Sequence, residues 1–263
     1  MTVMTVGTRL DKGTAGREQA VAAVAQFGLL VVLWASVGLH ALGWIAGTAY
    51  GAAIWALLTG GLRRSGARAL GPADRVTLGR AVLVGGVTAL AVAGAAHGAV
   101  FTGVASVALV LDAVDGKVAR RTGTCSRLGA RFDMEVDAFL IMVLSVQLAM
   151  EQGPWVLAIG GMRYAFVAAS WVLPWLNAPL PPSFARKTVA ACQGIALVAA
   201  CSGILPGPAA AGVAALALAA LVWSFGRDIA WLWRTRPVEA PGGGHESLPV
   251  PVASTAGQSS WRG

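Results

Sequence analysis

Long apolar stretches alternate with short polar connections along most of the chain. A helix that crosses a membrane needs roughly 20 mostly apolar residues. Stretches of this length predict eight membrane-spanning helices, over about residues 20–42, 44–62, 76–96, 99 into a polar segment at 112, 129–150, 155–176, 188–205 and 209–231. Residues 237–263, rich in Pro, Gly and Ser, are predicted to form a disordered tail.

Composition also indicates a polytopic membrane protein. The 263 residues are 56% hydrophobic and only 12% charged, whereas a soluble domain has about 25% charged residues. The net charge of +8 does not indicate nucleic-acid binding, because the Lys and Arg residues lie between apolar spans rather than on one polar face. Three cysteines without CxxC spacing argue against a zinc site or a disulfide framework.

The basic segment 1–19 precedes the first apolar stretch, as it does in a secretory signal peptide. Because further apolar segments follow without a soluble domain, we interpret the first stretch as an uncleaved span. The predicted organisation is therefore an N-terminal segment 1–19, two helices over 20–62, a six-helix membrane domain over 74–236 and the tail.

The connections between spans predict the orientation in the membrane. Those near 42–43, 97–98, 151–154 and 202–208 contain no Lys or Arg. The alternate connections carry the basic residues, namely Arg63, Arg64, Arg68, Arg75, Lys117, Arg120, Arg121, Arg127, Arg186, Lys187, Arg227, Arg234 and Arg236. Because positive residues remain on the cytoplasmic side, we expect both termini to be cytoplasmic.

Five of the twelve acidic residues lie between Asp112 and Asp137, where the fourth and fifth spans meet. Carboxylates near hydrocarbon are costly and usually mark function. In a helix, Asp112, Asp115, Gly116 and Ala119 would share one face, as would Gly129, Asp133 and Asp137. A short polar turn between the two helices would bring the four aspartates together at the cytoplasmic end of an antiparallel pair.

Four convergent carboxylates cannot all remain ionised without a cation. Oxygen ligands without His or Cys favour Mg²⁺, Mn²⁺ or Ca²⁺, and four are enough to bridge two ions about 4 Å apart, an arrangement suited to phosphoryl transfer. Nearby basic residues favour a phosphate-bearing ligand, and they are Lys117, Arg120, Arg121, Arg127 and Arg131. The competing interpretation is a set of solvated salt bridges, and it is preferred for Glu135, which lies off the Asp133–Asp137 face.

The spacing Asp-x2-Asp-Gly-x2-Ala-Arg-x8-Gly-x3-Asp-x3-Asp, which runs from Asp112 to Asp137, resembles the signature of the CDP-alcohol phosphotransferase family at every defined position. The segment from Asp74 to Arg80 and the Arg186-Lys187-Thr188 segment with Gln193 resemble further family elements. The resemblance covers about residues 74–232 and implies an all-α integral membrane protein with a six-helix core. The helices over 20–62 would be extra.

The resemblance also implies an activity, namely transfer of a substituted phosphate from a CDP-linked donor, usually CDP-diacylglycerol, to an alcohol, with release of CMP. By matching position, Asp112, Asp115 and Asp133 would bind one Mg²⁺ (or Mn²⁺), and Asp115, Asp133 and Asp137 a second. Asp137 would be the general base. The residues implied to hold the CDP moiety are Asp112, Gly116, Ala119, Arg120 and Gly129.

Weaker candidates concern the acceptor. Arg163 is interpreted as the one basic residue well inside a span, where it binds the acceptor or forms a structural pair. Arg186 and Lys187 could bind a phosphate or simply anchor a helix end. Together with Arg163, these two residues favour a phosphorylated acceptor. The acceptors that stay open are glycerol 3-phosphate, inositol phosphate, inositol, serine and another phospholipid.

Two alternatives to this enzyme stay open. The aspartates could line the path of a divalent-cation transporter, or the chain could be an inactive scaffold. A transporter would need acids near the bilayer midplane, and a scaffold would not need every motif residue. A homodimer is common in the family.

Overall fold

The described residues form eight long helices and contain no strand. The structure, a computed structural model, describes residues 14–65, 71–95, 98–122, 127–181 and 183–236, with backbone only at 14, 15, 65, 115, 118–122 and 127. The helices are α1 (Thr14–Val37), α2 (Ala41–Ser65), α3 (Pro72–Val92), α4 (Ala99–Thr122), α5 (Arg127–Gln152), α6 (Leu157–Val172), α7 (Phe184–Cys201) and α8 (Gly207–Thr235). Short 3₁₀ helices at Pro154–Val156 and Pro174–Asn177 precede and follow α6. The predicted all-α membrane fold is confirmed.

Six of the helices are long and apolar enough to cross a membrane, namely α1, α2, α3, α6 with the 3₁₀ turn before it, α7 and α8. In α4 only Ala99–Val114 is apolar. The rest of α4 and the first part of α5 carry the charged motif, so these two helices combine an apolar half with a polar half.

Helix α3 lies at the centre of the bundle. It packs against α1, α2, α4 and α5, and a larger share of it is buried than of any other candidate span. Its start is defined locally, because Pro72 occupies the first turn and the Gly71 backbone N–H donates to Asp74 Oδ2 at 2.9 Å. This cap fixes the residue at which α3 begins, and therefore the distance of each later residue from the start of the helix.

Some predicted helix boundaries were wrong. The first helix ends at Val37 rather than near residue 42, because Gly38 adopts φ +72°, a conformation that favours glycine and ends a helix. The seventh helix begins at Phe184 rather than near residue 188, because Ser183 caps it by accepting a hydrogen bond from the Arg186 backbone N–H at 3.4 Å.

Contacts between helix ends bring one end of the bundle together. Glu18 of α1 pairs with Arg75 of α3 at 2.7 Å, and Arg186 of α7 pairs with Asp228 of α8 at 3.1 Å. The last part of α4 and the first part of α5 lie at the same end, which is called the motif end below.

Candidate active site

Three motif aspartates converge at the motif end. Asp112 comes from α4, and Asp133 and Asp137 come from α5, one helical turn apart. One carboxylate oxygen from each lies within 4.8 Å of the other two. Their side chains are 37–42% exposed, so the cluster is open to a ligand and is not sealed in the core. The prediction that the acids converge is confirmed for these three residues, but α4 and α5 do not form the predicted antiparallel pair, because each packs against α3 and α7 rather than against the other.

Arg80 of α3 contacts all three aspartates from the buried side of the cluster. Its side chain is fully buried, and its guanidinium donates to the carboxylates of Asp112 and Asp133. The same group lies 3.1 Å from Asp137 Oδ1 and donates to the Asp133 backbone carbonyl at 3.3 Å. A planar guanidinium can contact several carboxylates at once in fixed directions, so Arg80 orients all three acids.

The remaining motif positions follow the predicted helices. Gly116 is partly buried on α4, and Gly129 is buried near the start of α5. Asp115, Ala119 and Arg120 lie within α4, but their side chains are outside the described part of the structure. Their assignment to metal or CDP binding therefore stays a prediction.

The chemistry of the cluster suits a hard divalent cation. All three donors are carboxylate oxygens, which Mg²⁺, Mn²⁺ and Ca²⁺ prefer. Three carboxylates beside one guanidinium carry a net negative charge, and their partial exposure lets an ion approach from the solvent side. The residues present therefore fit a divalent metal.

Arg80 also corrects the sequence-based interpretation of basic residues inside spans. Arg163 was expected to be the one such residue, because the third helix was predicted to start at residue 76. Since α3 starts at Pro72, Arg80 is two turns inside the helix and is the more deeply buried of the two arginines. The sequence feature that could have indicated this role is an arginine between two small residues, Gly79 and Ala81, at the start of an apolar stretch.

Arg163 and Glu135 form an ion pair between α6 and α5. Their side-chain N and O atoms are 2.7 Å apart, and both side chains are partly exposed. Glu135 points away from the aspartate cluster, as predicted, and α6 supplies its partner. Arg163 therefore has a structural partner, and its predicted role in acceptor binding is an additional proposal.

Arg186 belongs to a second polar cluster at the motif end, between α7 and α8. Its guanidinium lies 3.1 Å from Asp228 Oδ2 and donates to the Pro181 carbonyl at 2.6 Å. Arg227 donates to Ser183 Oγ at 2.8 Å and lies 3.4 Å from Asp228 Oδ1. Lys187 is exposed beside them. Sequence reasoning assigned Arg227 only to a basic connection and did not consider Asp228, because nothing in their spacing links these residues to Arg186.

Comparison with known proteins was made at three levels. No curated protein and no solved structure matches the chain. A family model, CDP-alcohol phosphatidyltransferase, matches residues 72–224, which is more than half of the chain and includes the whole aspartate motif. The chain therefore belongs to the CDP-alcohol phosphatidyltransferase family, and it is an integral membrane transferase that takes its phosphate-linked group from a CDP-alcohol and passes it to an alcohol.

Proposed function

We propose that the protein transfers a phosphatidyl group from CDP-diacylglycerol to a polar alcohol at the cytoplasmic face of the membrane and releases CMP. The observation that carries this proposal is the convergence of Asp112, Asp133 and Asp137 on Arg80, in a chain that belongs to this family. A lipid donor can stay in the bilayer while its charged diphosphate reaches the motif end.

Two Mg²⁺ ions, or Mn²⁺ in their place, would be held by the motif aspartates. Asp112, Asp115 and Asp133 would bind the first ion, and Asp115, Asp133 and Asp137 the second. Bound ions would supply neutralisation of the diphosphate and of the charge on departing CMP. The close grouping of three of these carboxylates supports the assignment.

The chain's own residues then carry out the transfer. Asp137 accepts the proton of the acceptor hydroxyl as that oxygen forms a bond to the β-phosphorus of the donor. The bond between this phosphorus and the oxygen that links it to CMP breaks, and CMP leaves with the electron pair. Asp137 lies at the edge of the cluster and is 42% exposed, so an acceptor can reach it.

The CDP moiety would lie between α4 and α5. Asp112, Gly116, Ala119, Arg120 and Gly129 are the proposed contacts. Glycine and alanine at these positions leave room for a ligand, and Arg120 adds positive charge for a phosphate. Gly129 is buried near the start of α5, and the absence of a side chain there supports close approach of a ligand to the helix backbone.

A phosphorylated acceptor fits the second polar cluster best. Asp228 and the Pro181 carbonyl orient the Arg186 guanidinium, and Arg227 and exposed Lys187 add positive charge nearby. Arg163 is a weaker candidate, since Glu135 already compensates its charge. A homodimer, common in the family, would place two such sites in one assembly.

The test supplies purified full-length protein with Mg²⁺ and CDP-diacylglycerol, and then with one acceptor at a time. The panel contains glycerol 3-phosphate, inositol phosphate, inositol, serine and a phospholipid, and the measurement is CMP release together with the lipid product. We expect release with a phosphorylated acceptor and none without Mg²⁺ or Mn²⁺. Absence of release with every acceptor would contradict the proposed reaction.

A further inference from the structure

Helix α2 lies outside the residues that match the family, yet it packs against two helices of the aspartate cluster. One is α3, which carries Arg80, and the other is α5, which carries Asp133 and Asp137. Helix α4, which carries Asp112, packs against α3 and α7 rather than against α5. The distance between Asp112 and the two acids of α5 therefore depends on the other helices that hold α5 in place, and α2 is one of them.

Glycines in the first half of α2 allow it to approach α3 closely. A Cβ on Gly43 would lie 2.9 Å from the Ala89 carbonyl oxygen of α3, and a Cβ on Gly47 would lie 3.2 Å from Ala89 Cβ. The two glycines are one helical turn apart and contact the same residue, which is the kind of close approach that small residues allow in membranes. Helix α2 is thereby fixed against the helix that carries Arg80.

Two contacts at different depths join α2 to α5, and they define the α2–α5 interface. Near the motif end, a Cβ on Gly61 would overlap with the Leu128 side chain. Deeper in the bundle, the rings of Tyr50 and Phe139 have centroids 4.8 Å apart. Each helix advances eleven residues between the two contacts, in opposite directions, which is a rise of about 16 Å. The interface is therefore antiparallel and extends along the part of α5 that contains both acids.

The α2–α5 interface lies on the face of α5 opposite the acids. Leu128 and Phe139 are three helical turns apart and share one face of α5. Asp137 is two residues before Phe139, which places it about 160° around the helix. Helix α2 thus supports α5 from behind, while Asp133 and Asp137 project toward Arg80. A shift of α5 relative to α2 would change the distances from its acids to Arg80 and to Asp112.

Both α2 residues of the interface belong to the protein interior. Gly61 is buried and Tyr50 is only 7% exposed. Tyr50 also lies within range of the positive charge of Arg80. By contrast, Leu57 of the same helix is 56% exposed on an apolar span and faces lipid. Substitutions at Gly61 and Tyr50 therefore act on the packing of α5, and one at Leu57 does not.

We infer that α2 holds α5 in the position at which Asp133 and Asp137 meet Asp112, so that Gly61 and Tyr50 are positioning residues for metal binding and catalysis. Both residues act through α5 and contact neither metal nor substrate. The inference rests on the proposed use of the aspartates as metal ligands. It gives a helix outside the family match a role in the reaction.

The first test compares Gly61→Leu with Gly60→Leu in the full-length protein. A side chain at position 61 displaces Leu128, whereas the atom nearest to a Cβ at position 60 is Arg64 Nη2 at 3.9 Å. Mn²⁺ binding is titrated by electron paramagnetic resonance without substrate, and CMP release is measured with CDP-diacylglycerol and the acceptor. We expect Gly61→Leu to weaken Mn²⁺ binding and to lower kcat at least about tenfold, since a displacement of about 1 Å can cost about 10² in rate. Gly60→Leu should match the wild type.

A second substitution separates positioning from a general loss of stability. Leu128→Ala makes room for the larger side chain at position 61, so Gly61→Leu combined with Leu128→Ala should regain most of the Mn²⁺ binding and kcat. Two changes that merely destabilised the protein would add, because each would lower the free energy of unfolding on its own.

The Tyr50 contact is tested by removing its ring. Tyr50→Ala should weaken Mn²⁺ binding and lower kcat, and Leu57→Ala is the control on the lipid-facing side of α2. Tyr50→Phe should retain both properties, because it keeps the ring and the hydroxyl has no hydrogen-bond partner among the described residues. KM for the acceptor should stay close to the wild-type value, since the cluster proposed to bind it lies on α7 and α8, outside the contacts of α2 among the described residues.

Wild-type Mn²⁺ binding and kcat in both Gly61→Leu and Tyr50→Ala would overturn the inference, as would equal losses in their controls. If Gly61→Leu does not fold, Gly61→Ala replaces it, because the added Cβ displaces only the flexible end of Leu128. A smaller loss in the same direction is then expected. A wild type that binds Mn²⁺ but releases no CMP would contradict the proposed reaction, and the Mn²⁺ titrations would still decide the role of α2.

Discussion

At the scale of single residues, the site combines partly exposed acids with a fully buried base. Water and ions can reach the carboxylates of Asp112, Asp133 and Asp137, whereas solvent cannot reach the Arg80 side chain. The difference in burial matches two different roles. The exposed carboxylates allow a metal to enter the cluster, and the buried arginine keeps the carboxylates in fixed orientations. Three substitutions test these tasks separately.

Asp137→Asn should remove the proton acceptor and keep most of the site. We expect turnover to fall by a factor of about 10² or more, while binding of CDP-diacylglycerol largely survives, because Asp112 and Asp133 remain with Arg80. CMP release and equilibrium binding of labelled CDP-lipid are measured on the same preparation. Turnover close to that of the wild type would exclude Asp137 as the base.

Arg80→Met should destabilise the protein. Removing one partner of a fully buried ion pair costs about 3–5 kcal/mol, and here the loss should be smaller, because the three carboxylates left without their common partner are partly exposed. Arg75→Met is the control, since Arg75 is 58% exposed and among the described residues pairs with Glu18 alone, whose side chain is 19% exposed. A pair with one exposed partner lies nearer to the value of a surface pair, about 1 kcal/mol or less, so the loss should be smaller than for Arg80→Met. Thermal unfolding in detergent compares the two, and equal Tm values would contradict the central role of Arg80.

Asp133→Asn should weaken metal binding, because its carboxylate is shared by both proposed ions. A ligand that binds only the folded state raises the stability of that state, so Mg²⁺ should raise the Tm of the wild type and have little effect on this variant. Glu135→Gln is the control on the same helix, as Glu135 pairs with Arg163 outside the cluster. A Mg²⁺ response lost equally in both variants would argue against specific binding at Asp133.

At the scale of helices, close approach depends on a few glycines. A Cβ on Gly160 of α6 would lie 2.7 Å from the Met142 Cα of α5, and one on Gly43 of α2 would lie 2.9 Å from the Ala89 carbonyl oxygen of α3. Small residues allow such approach in membranes, where packing drives helix association. Because α5 carries two of the three acids, its distance from α6 affects the site.

Gly160→Ala should push α6 away from α5, since the obstructing atom belongs to the backbone and cannot rotate aside. We expect a loss of about 1–3 kcal/mol, typical of overpacking. The neighbouring Gly161→Ala is the control, because no atom lies within 4 Å of the added Cβ, and a better helix former is tolerated there. Thermal unfolding of both variants decides the question, and a Gly161→Ala loss as large as that of Gly160→Ala would refute it.

At the scale of the whole molecule, the bundle gathers its polar contacts at one end. Glu18–Arg75, the aspartate cluster and Arg186–Asp228 all lie at the motif end. This asymmetry agrees with the distribution of Lys and Arg among the connections, which predicts that the motif end faces the cytoplasm. No observation favours the divalent-cation transporter, and the match to a transferase family argues for the enzyme.

The predicted orientation can be tested by labelling in intact cells. In a background with Cys125, Cys192 and Cys201 replaced by Ala, single cysteines are introduced at exposed Ala99, at the start of α4, and at Lys187, at the start of α7. A membrane-impermeant maleimide should react at residue 99 from outside and at residue 187 only after permeabilisation. The reverse pattern would invert the proposed topology and place the site outside the cytoplasm.

Much of this protein could be predicted from sequence because its strongest signals are local. Apolar stretches of sufficient length predict membrane helices wherever they occur, and the four-residue spacing of Asp133 and Asp137 predicts a shared face of one helix from periodicity alone. The helical fold, the family match and the converging acids confirm those inferences. No comparable local sequence pattern specifies the acceptor, which the acceptor panel is designed to identify.

Contacts between distant segments were decided only by the tertiary structure. From the sequence, Arg80 is a charged residue near the start of a helix. The cap at Gly71 and Asp74 places it two turns inside α3, and the packing of α3 brings its guanidinium into contact with the aspartates. Arg163 of α6 forms an ion pair with Glu135 of α5, and Gln26 and Tyr50, from two different helices, line the same cavity among α1, α2 and α3. Periodicity determines which residues share a face of one helix, but which faces meet depends on how close the helices can approach, and that depends on the whole bundle.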